Sequence, residues 1–255
     1  MTGPAHPSDI FLHTGSIPHV WCTGCGIGIV LNVFVQTVKE TNLSPDDVYV
    51  VSGLGCTGKV DHYLKCKTLN ISDDNIIRRA VHLKSDHPDK KVVVFLNDAD
   101  FIAFGIDDLL QACRKDVEIL LLYINNLLCS SLTENNKLTT LFTENSFRND
   151  FRGPVNIPHL AKSCGAQYIA RWTPLHPRRL MYSIKECFSI KGLSLIEVIT
   201  PCLMAYVHNG KMNQNLDRMS LYHDNAIIKD GEPTENVDIK SKNEIILGAF
   251  LGNRL

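Results

Sequence analysis

Apolar residues recur along the chain in short segments of two kinds. Spacings of three and four residues indicate amphipathic helices, whereas short runs rich in β-branched residues are typical of buried strands. The clearest runs are VYVVS at Val48–Ser52, KVVVFL at Lys91–Leu96 and VEILLLYI at 117–124. The pattern also predicts strands at 167–170 and 193–199, and helices at 27–39, 75–84, 106–114, 157–163 and 177–188.

This alternation of strands and helices predicts an α/β fold in which helices flank a parallel sheet. A chain of 255 residues can fill one large core and no change in composition marks a boundary, so we expect a single α/β domain over residues 1–255. The segment from about residue 203 to residue 255 is polar and weakly patterned. We expect this C-terminal tail to contact partner subunits rather than to form a core of its own.

The charge and hydropathy of the chain argue against several classes of partner. Lys and Arg number 26 against 27 Asp and Glu, which gives a formal net charge of −1 with both signs interspersed. No basic face predicts nucleic-acid binding. No stretch reaches the roughly 18 uninterrupted apolar residues of a membrane span, and the first residues lack the pattern of a signal peptide. We therefore expect a cytoplasmic protein that binds neither nucleic acid nor membrane.

Nine cysteines stand out in a chain expected in a reducing compartment, where disulfides are rare. A CTGC turn carries Cys22 and Cys25, while Cys56 and Cys202 follow the ends of two predicted strands. Four such thiolates suit an iron–sulfur cluster or zinc, although a CxxC turn also serves thiol exchange. The residue types alone leave cluster, zinc and unrelated thiols open. We expect ordinary thiols at Cys66, Cys113, Cys129, Cys164 and Cys187.

Polar residues follow two of the strongest predicted strands. NDAD, which contains Asp98, comes after Lys91–Leu96, and NN, which ends in Asn126, comes after the run at 117–124. Because neighbouring parallel strands end at the same edge of a sheet, these two side chains and a nearby backbone carbonyl can hold Mg²⁺ against a diphosphate. The alternative is that they are ordinary turn residues, since Asp and Asn are common in turns.

Four segments together resemble the β subunit of the 2-oxoacid:ferredoxin oxidoreductases, particularly the 2-oxoglutarate type. They are IPHVWCTGCGIGIVL, VVSGLGCTGK, GAQYIARWTPLHPRRL and LSLIEVITPC, and the resemblance extends from about residue 6 to residue 202. It implies a thiamine diphosphate-binding fold. It also implies that a 4Fe-4S cluster is bound by Cys22, Cys25, Cys56 and Cys202.

The same resemblance implies a site for thiamine diphosphate and Mg²⁺. The implied Mg²⁺ ligands are Asp98, Asn126 and the backbone carbonyl of Leu128. The residues implied to meet the cofactor itself are Gly55, Cys56, Thr57, Ser130 and Ser131.

The sequence departs from the family pattern around this thiamine site. Asn97 and Ala99 replace both glycines of the family's GDGD turn, which removes backbone freedom and space beside a phosphate. The family's HxxHGR segment corresponds to NISDDN at 70–75, whose aspartates would repel a diphosphate or a substrate carboxylate. The family's YGMTGGQ, after the NN pair, is replaced by CSSLTEN at 129–135. We expect thiamine diphosphate binding to be weakened or changed.

The resemblance implies oxidative decarboxylation of a 2-oxoacid to an acyl-CoA, with electrons passed through the cluster to ferredoxin. Its implied partners are an α subunit, with or without a γ subunit, together with ferredoxin, the 2-oxoacid and coenzyme A. The alternative is a non-catalytic paralogue that keeps the cluster for electron transfer or complex assembly. We expect His62 and His82 to be surface or packing residues, so the catalytic residues and the identity of the 2-oxoacid stay open.

Overall fold

The computed structural model describes residues 9–71, 75–103, 105–126, 155–200, 202, 223–239 and 244–252. The strands of this described part are β1 (Val48–Ser52), β2 (Lys67–Asn70), β3 (Lys91–Leu96), β4 (Ile119–Asn125), β5 (Tyr168–Trp172), β6 (Ser194–Ile199), β7 (Ala226–Ile228) and β8 (Ile245–Leu251). Its α-helices are α1 (Ile27–Glu40), α2 (Gly55–Gly58), α3 (Ile76–Asp86), α4 (Ile106–Arg114), α5 (Ile157–Cys164) and α6 (Pro177–Cys187).

The described strands form one sheet in the order β2-β1-β3-β4-β6-β5-β8-β7. All strands from β2 to β5 in this order run parallel. β8 lies antiparallel to β5 and parallel to β7. The predicted α/β fold with a largely parallel sheet is confirmed.

Helices cover both faces of the sheet. Alternate residues of β3 show the division, since Val93 and Phe95 pack in the core that contains α1 and α6, whereas Val92 and Val94 pack in the core that contains α3, α4 and α5. Phe34 of α1 meets Phe95 edge-on, with ring centroids 5.5 Å apart. Burial on both faces explains why these strands are continuous apolar runs. Among the described residues, no helix is both long and apolar enough to cross a membrane.

The elements predicted from periodicity are present. β1, β3 and α4 have the predicted bounds, and the other predicted elements differ from the observed ones at their ends. Two elements beside the candidate site were not predicted. α2 is a single helical turn, and β2 has the sequence KTLN with every residue exposed, so neither carries an apolar pattern.

The prediction of a C-terminal tail without a core is wrong for Ile245–Leu251. This segment is β8, which pairs with β5, and Ile245 and Leu247 are fully buried. Its sequence, IILGAFL, is a strand-like apolar run within an otherwise polar region. Contact of the tail with a partner subunit stays a prediction.

A buried ion pair joins β5, β6 and β8. Arg171 is 1% exposed and Glu197 is fully buried. Arg171 Nε donates to Glu197 Oε2 over 2.6 Å, and Arg171 Nη1 donates to the carbonyls of Val237 and Ile246. Glu197 Oε1 accepts a hydrogen bond of 2.6 Å from Asn125 Nδ2. The pair therefore connects the C-terminal strand to the end of β4.

Glu197→Gln should lower the free energy of unfolding by about 3 to 5 kcal/mol, because it leaves the guanidinium of Arg171 buried without a counter-charge. Chemical denaturation of the purified protein measures the change. Glu244→Gln is the matched control, since Glu244 pairs with Lys229 at 3.3 Å with both side chains exposed, and the loss of such a pair costs about 1 kcal/mol or less. Equal effects of the two substitutions would contradict the role of the buried pair.

Candidate functional site

The candidate site lies at the edge of the sheet where the parallel strands end. The loops that follow β1, β3, β4 and β6 carry, in that order, Cys56, Asp98, Asn126 and Cys202. The CxxC turn of Cys22 and Cys25 immediately precedes α1 and is bonded to the loop after β6. The carboxyl edge of an open α/β sheet is the usual place for a ligand in this fold class.

The four cysteines predicted to bind a cluster share one region of this edge. Cys22 and Cys56 are exposed, while Cys25 and Cys202 are partly buried. Burial raises the pKa of the Cys25 thiol from 9.0 to about 11, and the charges of the other three thiols also raise it. Burial raises the pKa of Cys56 as well. The thiols of Cys22 and Cys202 therefore lie near enough to act on the pKa of both Cys25 and Cys56.

The donor set of this cysteine group fits a 4Fe-4S cluster, which is held by four thiolates. In the described part of the chain, no three His, Cys, Asp or Glu side chains are arranged to hold a single metal ion. The raised pKa values of Cys25 and Cys56 mean that these two thiols must lose protons when they bind a metal. Cluster binding itself stays a prediction.

Hydrogen bonds join the three loops that carry the cysteines. Trp21 Nε1 donates to the carbonyl of Cys56 over 2.8 Å, which connects the CxxC turn to α2. Gly26 N donates to Thr200 Oγ1 over 3.2 Å, which connects the same turn to the loop after β6. A Cβ at Gly26 would lie 2.5 Å from Thr200 Oγ1, so a side chain there would push the CxxC turn away from the loop after β6.

Trp21 is held in place by aromatic packing. Its side chain is buried, and its ring lies against that of Tyr63 with centroids 4.9 Å apart. Tyr63 Oη accepts a hydrogen bond of 2.8 Å from Val20 N. Neither Trp21 nor Tyr63 was predicted as a site residue, although Trp21 lies beside Cys22 in the sequence. The structure makes Trp21 a positioning residue for Cys56.

Asp98 and Asn126 lie side by side, as their places after β3 and β4 predict. Asn126 N donates to Asp98 Oδ1 over 3.1 Å. Tyr123 Oη donates to the same oxygen over 2.8 Å, and Asp98 is 5% exposed. The predicted adjacency is confirmed, and Tyr123 is a further residue that orients the carboxylate. Carboxylate and amide oxygens are donors that Mg²⁺ prefers.

Of the other residues predicted for the thiamine site, Leu128, Ser130 and Ser131 lie outside the described residues. Gly55 and Thr57 are described. Thr57 is buried, and its hydroxyl is hydrogen-bonded within the loop that contains α2. Gly55, the first residue of α2, has a φ of +71°, which favours glycine. Both residues belong to α2, which follows β1 at the predicted edge of the sheet.

Thr200 connects the cysteine group to the pair of Asp98 and Asn126. Its hydroxyl accepts from Gly26 N, and its carbonyl accepts from Asn126 Nδ2 over 2.6 Å. Its own N–H donates to the carbonyl of Asn125 over 2.9 Å. One buried residue thus sets the separation between the two predicted cofactor sites.

The residues at the ends of β1 and β3 fit a diphosphate less well than Asp98 and Asn126 fit Mg²⁺. Asn97 Nδ2 donates to the carbonyl of Leu54 over 2.8 Å and to Thr57 Oγ1 over 3.1 Å. A glycine in place of Asn97 would leave this space open. The donor types of Asp98 and Asn126 fit Mg²⁺, whereas Asn97 narrows the space expected for the diphosphate.

Sequence comparisons relate the chain to a thiamine pyrophosphate enzyme family and to subunits of 2-oxoacid oxidoreductases. Residues 79–198 match the family model of the thiamine pyrophosphate enzyme, C-terminal TPP binding domain. The 2-oxoacid:ferredoxin oxidoreductase subunit beta of Saccharolobus solfataricus is 29% identical, covering 71% of this chain and 61% of that protein. The 2-oxoglutarate synthase subunit KorB of Methanocaldococcus jannaschii is 32% identical, covering 96% of this chain and 92% of that protein. The chain belongs to the 2-oxoacid:ferredoxin oxidoreductase β-subunit family.

This membership confirms the resemblance found in the cysteine and strand segments. A solved structure of 2-oxoglutarate:ferredoxin oxidoreductase from Magnetococcus marinus superposes with a TM-score of 0.77 at 18% identity, covering 97% of this chain and 85% of that one. At this identity the likeness concerns the fold, and it confirms the predicted thiamine diphosphate-binding architecture. The matched residues 79–198 include β3, β4 and β5, together with Asp98 and Asn126, which follow β3 and β4.

Thr200→Val should lower the free energy of unfolding by about 1 to 3 kcal/mol, because the buried N–H of Gly26 loses its acceptor. It should also speed hydrogen exchange at Gly26. Thr200→Ser is the matched control, since it keeps the hydroxyl and should behave nearly as the parent. Chemical denaturation and exchange measured by mass spectrometry test both points, and unchanged exchange in Thr200→Val would show that this bond does not hold the turn.

Proposed function

We propose that the chain is the β subunit of a 2-oxoacid:ferredoxin oxidoreductase that converts a 2-oxoacid and coenzyme A to an acyl-CoA and CO₂. The observation that carries the proposal is the connection through Thr200, whose hydroxyl and carbonyl bond to Gly26 and Asn126. In this proposal, electrons taken from the substrate near Asp98 and Asn126 must reach the group of four cysteines. A fixed separation between the two groups serves that transfer.

Thiamine diphosphate supplies the electron sink for decarboxylation when bound, and a 4Fe-4S cluster supplies the route for electrons to ferredoxin. The residues proposed to hold the cluster are Cys22, Cys25, Cys56 and Cys202. The residues proposed to hold Mg²⁺ are Asp98, Asn126 and the carbonyl of Leu128. The residues proposed to contact thiamine diphosphate are Gly55, Cys56, Thr57, Asp98, Asn126, Ser130 and Ser131.

This chain's own contribution is to hold charge and to orient groups. The cysteines would bind iron as thiolates, so the Cys25 thiol must lose a proton although burial raises its pKa. Tyr123 Oη and Asn126 N together fix one oxygen of Asp98, so its carboxylate is already oriented before a cation binds. Such preorganisation lowers the cost of ordering the site.

A partner subunit is part of the proposal. Ile17, Val20 and Leu54 have 56%, 62% and 53% of their surface exposed, and they belong to the loops around the cysteines. Exposed apolar groups beside a site favour coverage by another protein surface. We propose an α subunit, with or without a γ subunit, as the occupant, and ferredoxin as the electron acceptor.

His62 and His82 are exposed, which confirms the expectation of surface residues.

The second candidate is a non-catalytic paralogue that keeps the cluster for electron transfer or complex assembly. Asn97 favours it, because its side chain lies across the crevice expected to receive the diphosphate. The two candidates share the cluster and differ in thiamine diphosphate binding. Binding measurements on the parent protein therefore separate them.

Cys25→Ala should remove the bound iron and sulfide and lower the free energy of unfolding, because metal binding and folding are coupled. Iron and sulfide quantification after anaerobic purification of the complex measures the loss. Cys66→Ala is the matched control, since Cys66 lines a small apolar cavity with Phe11 and Phe34. Parent-level iron in Cys25→Ala would exclude the proposed ligand set.

Asp98→Ala should weaken Mg²⁺-dependent thiamine diphosphate binding by roughly 100-fold or more. The loss of a residue that only hydrogen-bonds to a metal ligand already lowers metal affinity by about 10- to 100-fold, and Asp98 is proposed as a ligand itself. Calorimetry on the purified complex with Mg²⁺ measures the affinity. Asp107→Ala, an exposed carboxylate in the first turn of α4, is the control. Equal affinity in parent and Asp98→Ala would remove Asp98 from the site. No binding to the iron-loaded parent would favour the paralogue.

A further inference from the structure

The crevice between β1 and β3 is the point where the chain changes direction across the sheet. The connection after β1 leads to β2 on one side, whereas the connection after β3 leads to β4 on the other side. Loops that diverge in this way leave a gap between them at the carboxyl edge of an open sheet. In open α/β sheets, ligands bind in the gap at such a switch point.

Asn97 fills this gap from the end of β3. Its Nδ2 donates across the gap to the carbonyl of Leu54 over 2.8 Å and to Thr57 Oγ1 over 3.1 Å. Both acceptors belong to the loop after β1. The side chain of Asn97 is therefore a bridge between the two walls of the crevice.

The other end of the Asn97 side chain is fixed as well. Asn97 Oδ1 accepts from Asp100 N over 3.0 Å, and Asn97 N donates to Asp100 Oδ2 over 3.1 Å. Asp100 Oδ1 accepts from Leu54 N at 3.4 Å, so its carboxylate also bonds to both walls. A ligand that enters the crevice must break the bonds of Asn97 or displace its side chain.

The loop to which Asn97 donates its hydrogen bonds carries Cys56, and its backbone is closely packed. A Cβ at Gly53 would lie 2.2 Å from Asp100 Oδ2, and a Cβ at Gly58 would lie 2.1 Å from the carbonyl of Gly53. On the side away from the crevice, Asn70 Nδ2 donates to the carbonyl of Gly58 over 2.8 Å. The loop is thus held by one asparagine on each side.

We propose that Asn97 restricts the entry of a diphosphate into this crevice while it holds the loop of Cys56 in place. The inference rests on the proposed thiamine diphosphate site. Asn97 and Asn70 hold the same loop, but only Asn97 does so from within the crevice. Removal of either side chain loosens the loop, whereas removal of Asn97 also opens the space for the ligand.

The experiment compares Asn97→Ala with the parent as purified complexes, using thiamine diphosphate with Mg²⁺ as the probe. Calorimetry should show binding about tenfold tighter in Asn97→Ala, equivalent to about 1.4 kcal/mol, because the ligand no longer competes with two hydrogen bonds. Hydrogen exchange at residues 53–58 should be faster than in the parent. Asn97→Ser should give the same result, since serine keeps a hydroxyl that can accept from Asp100 N but is too short to cross the gap.

Asn70→Ala is the matched control, because it loosens the loop without opening the crevice. Faster exchange at 53–58 in this variant, with no gain in affinity, would support the inference. Equal affinity in the parent, Asn97→Ala and Asn97→Ser would overturn the inference and leave the proposed function intact. The same gain in Asn70→Ala would overturn it too, since loosening alone would explain the effect. No binding in any variant would overturn the inference together with the proposed thiamine site.

Discussion

The direction of the strands is the constraint on which the candidate site depends. Because the strands from β2 to β5 run parallel, the loops after β1, β3, β4 and β6 leave from one edge of the sheet. Groups far apart in sequence meet there, as when Thr200 accepts from Gly26, 174 positions away, and from Asn126, 74 positions away. A strand of opposite direction would carry its loop to the other edge and remove its residues from the site.

The stability of the sheet and the order of the site share one buried carboxylate. Glu197 bonds to Arg171 through one oxygen and to Asn125 through the other. Asn125 in turn accepts from Thr200 N, and its neighbour Asn126 bonds to Asp98. A buried charge must stay paired, so the geometry of this chain of contacts is strongly determined. Through Arg171, the C-terminal strand supports a site to which it contributes no predicted ligand.

The sequence predicts the strands and the shared edge well, because continuous β-branched runs and polar residues after them are local signals. Asp98 and Asn126 were expected to be neighbours for this reason. Thr200, Tyr123 and Trp21 were missed because their roles depend on contacts between distant loops, which no local pattern records. β8 is different, since IILGAFL carries a strand-like signal that the polar character of the surrounding tail concealed. The exposed edge strand β2 has no apolar periodicity to find.

The two predicted cofactor sites are not independent, because they share the loop after β1, which contains α2. Cys56 belongs to the proposed cluster site, while Thr57, its neighbour, accepts from Asn97 in the crevice between β1 and β3. The presence of asparagine instead of glycine at position 97 therefore acts on both sites at once. It adds hydrogen bonds to the loop that presents Cys56, and it takes up space beside a phosphate. The chain keeps all four cysteines but has Asn97 and Ala99 where the family has the glycines of GDGD. Asn97 thus gives the loop of Cys56 firmer support and at the same time makes the crevice narrower.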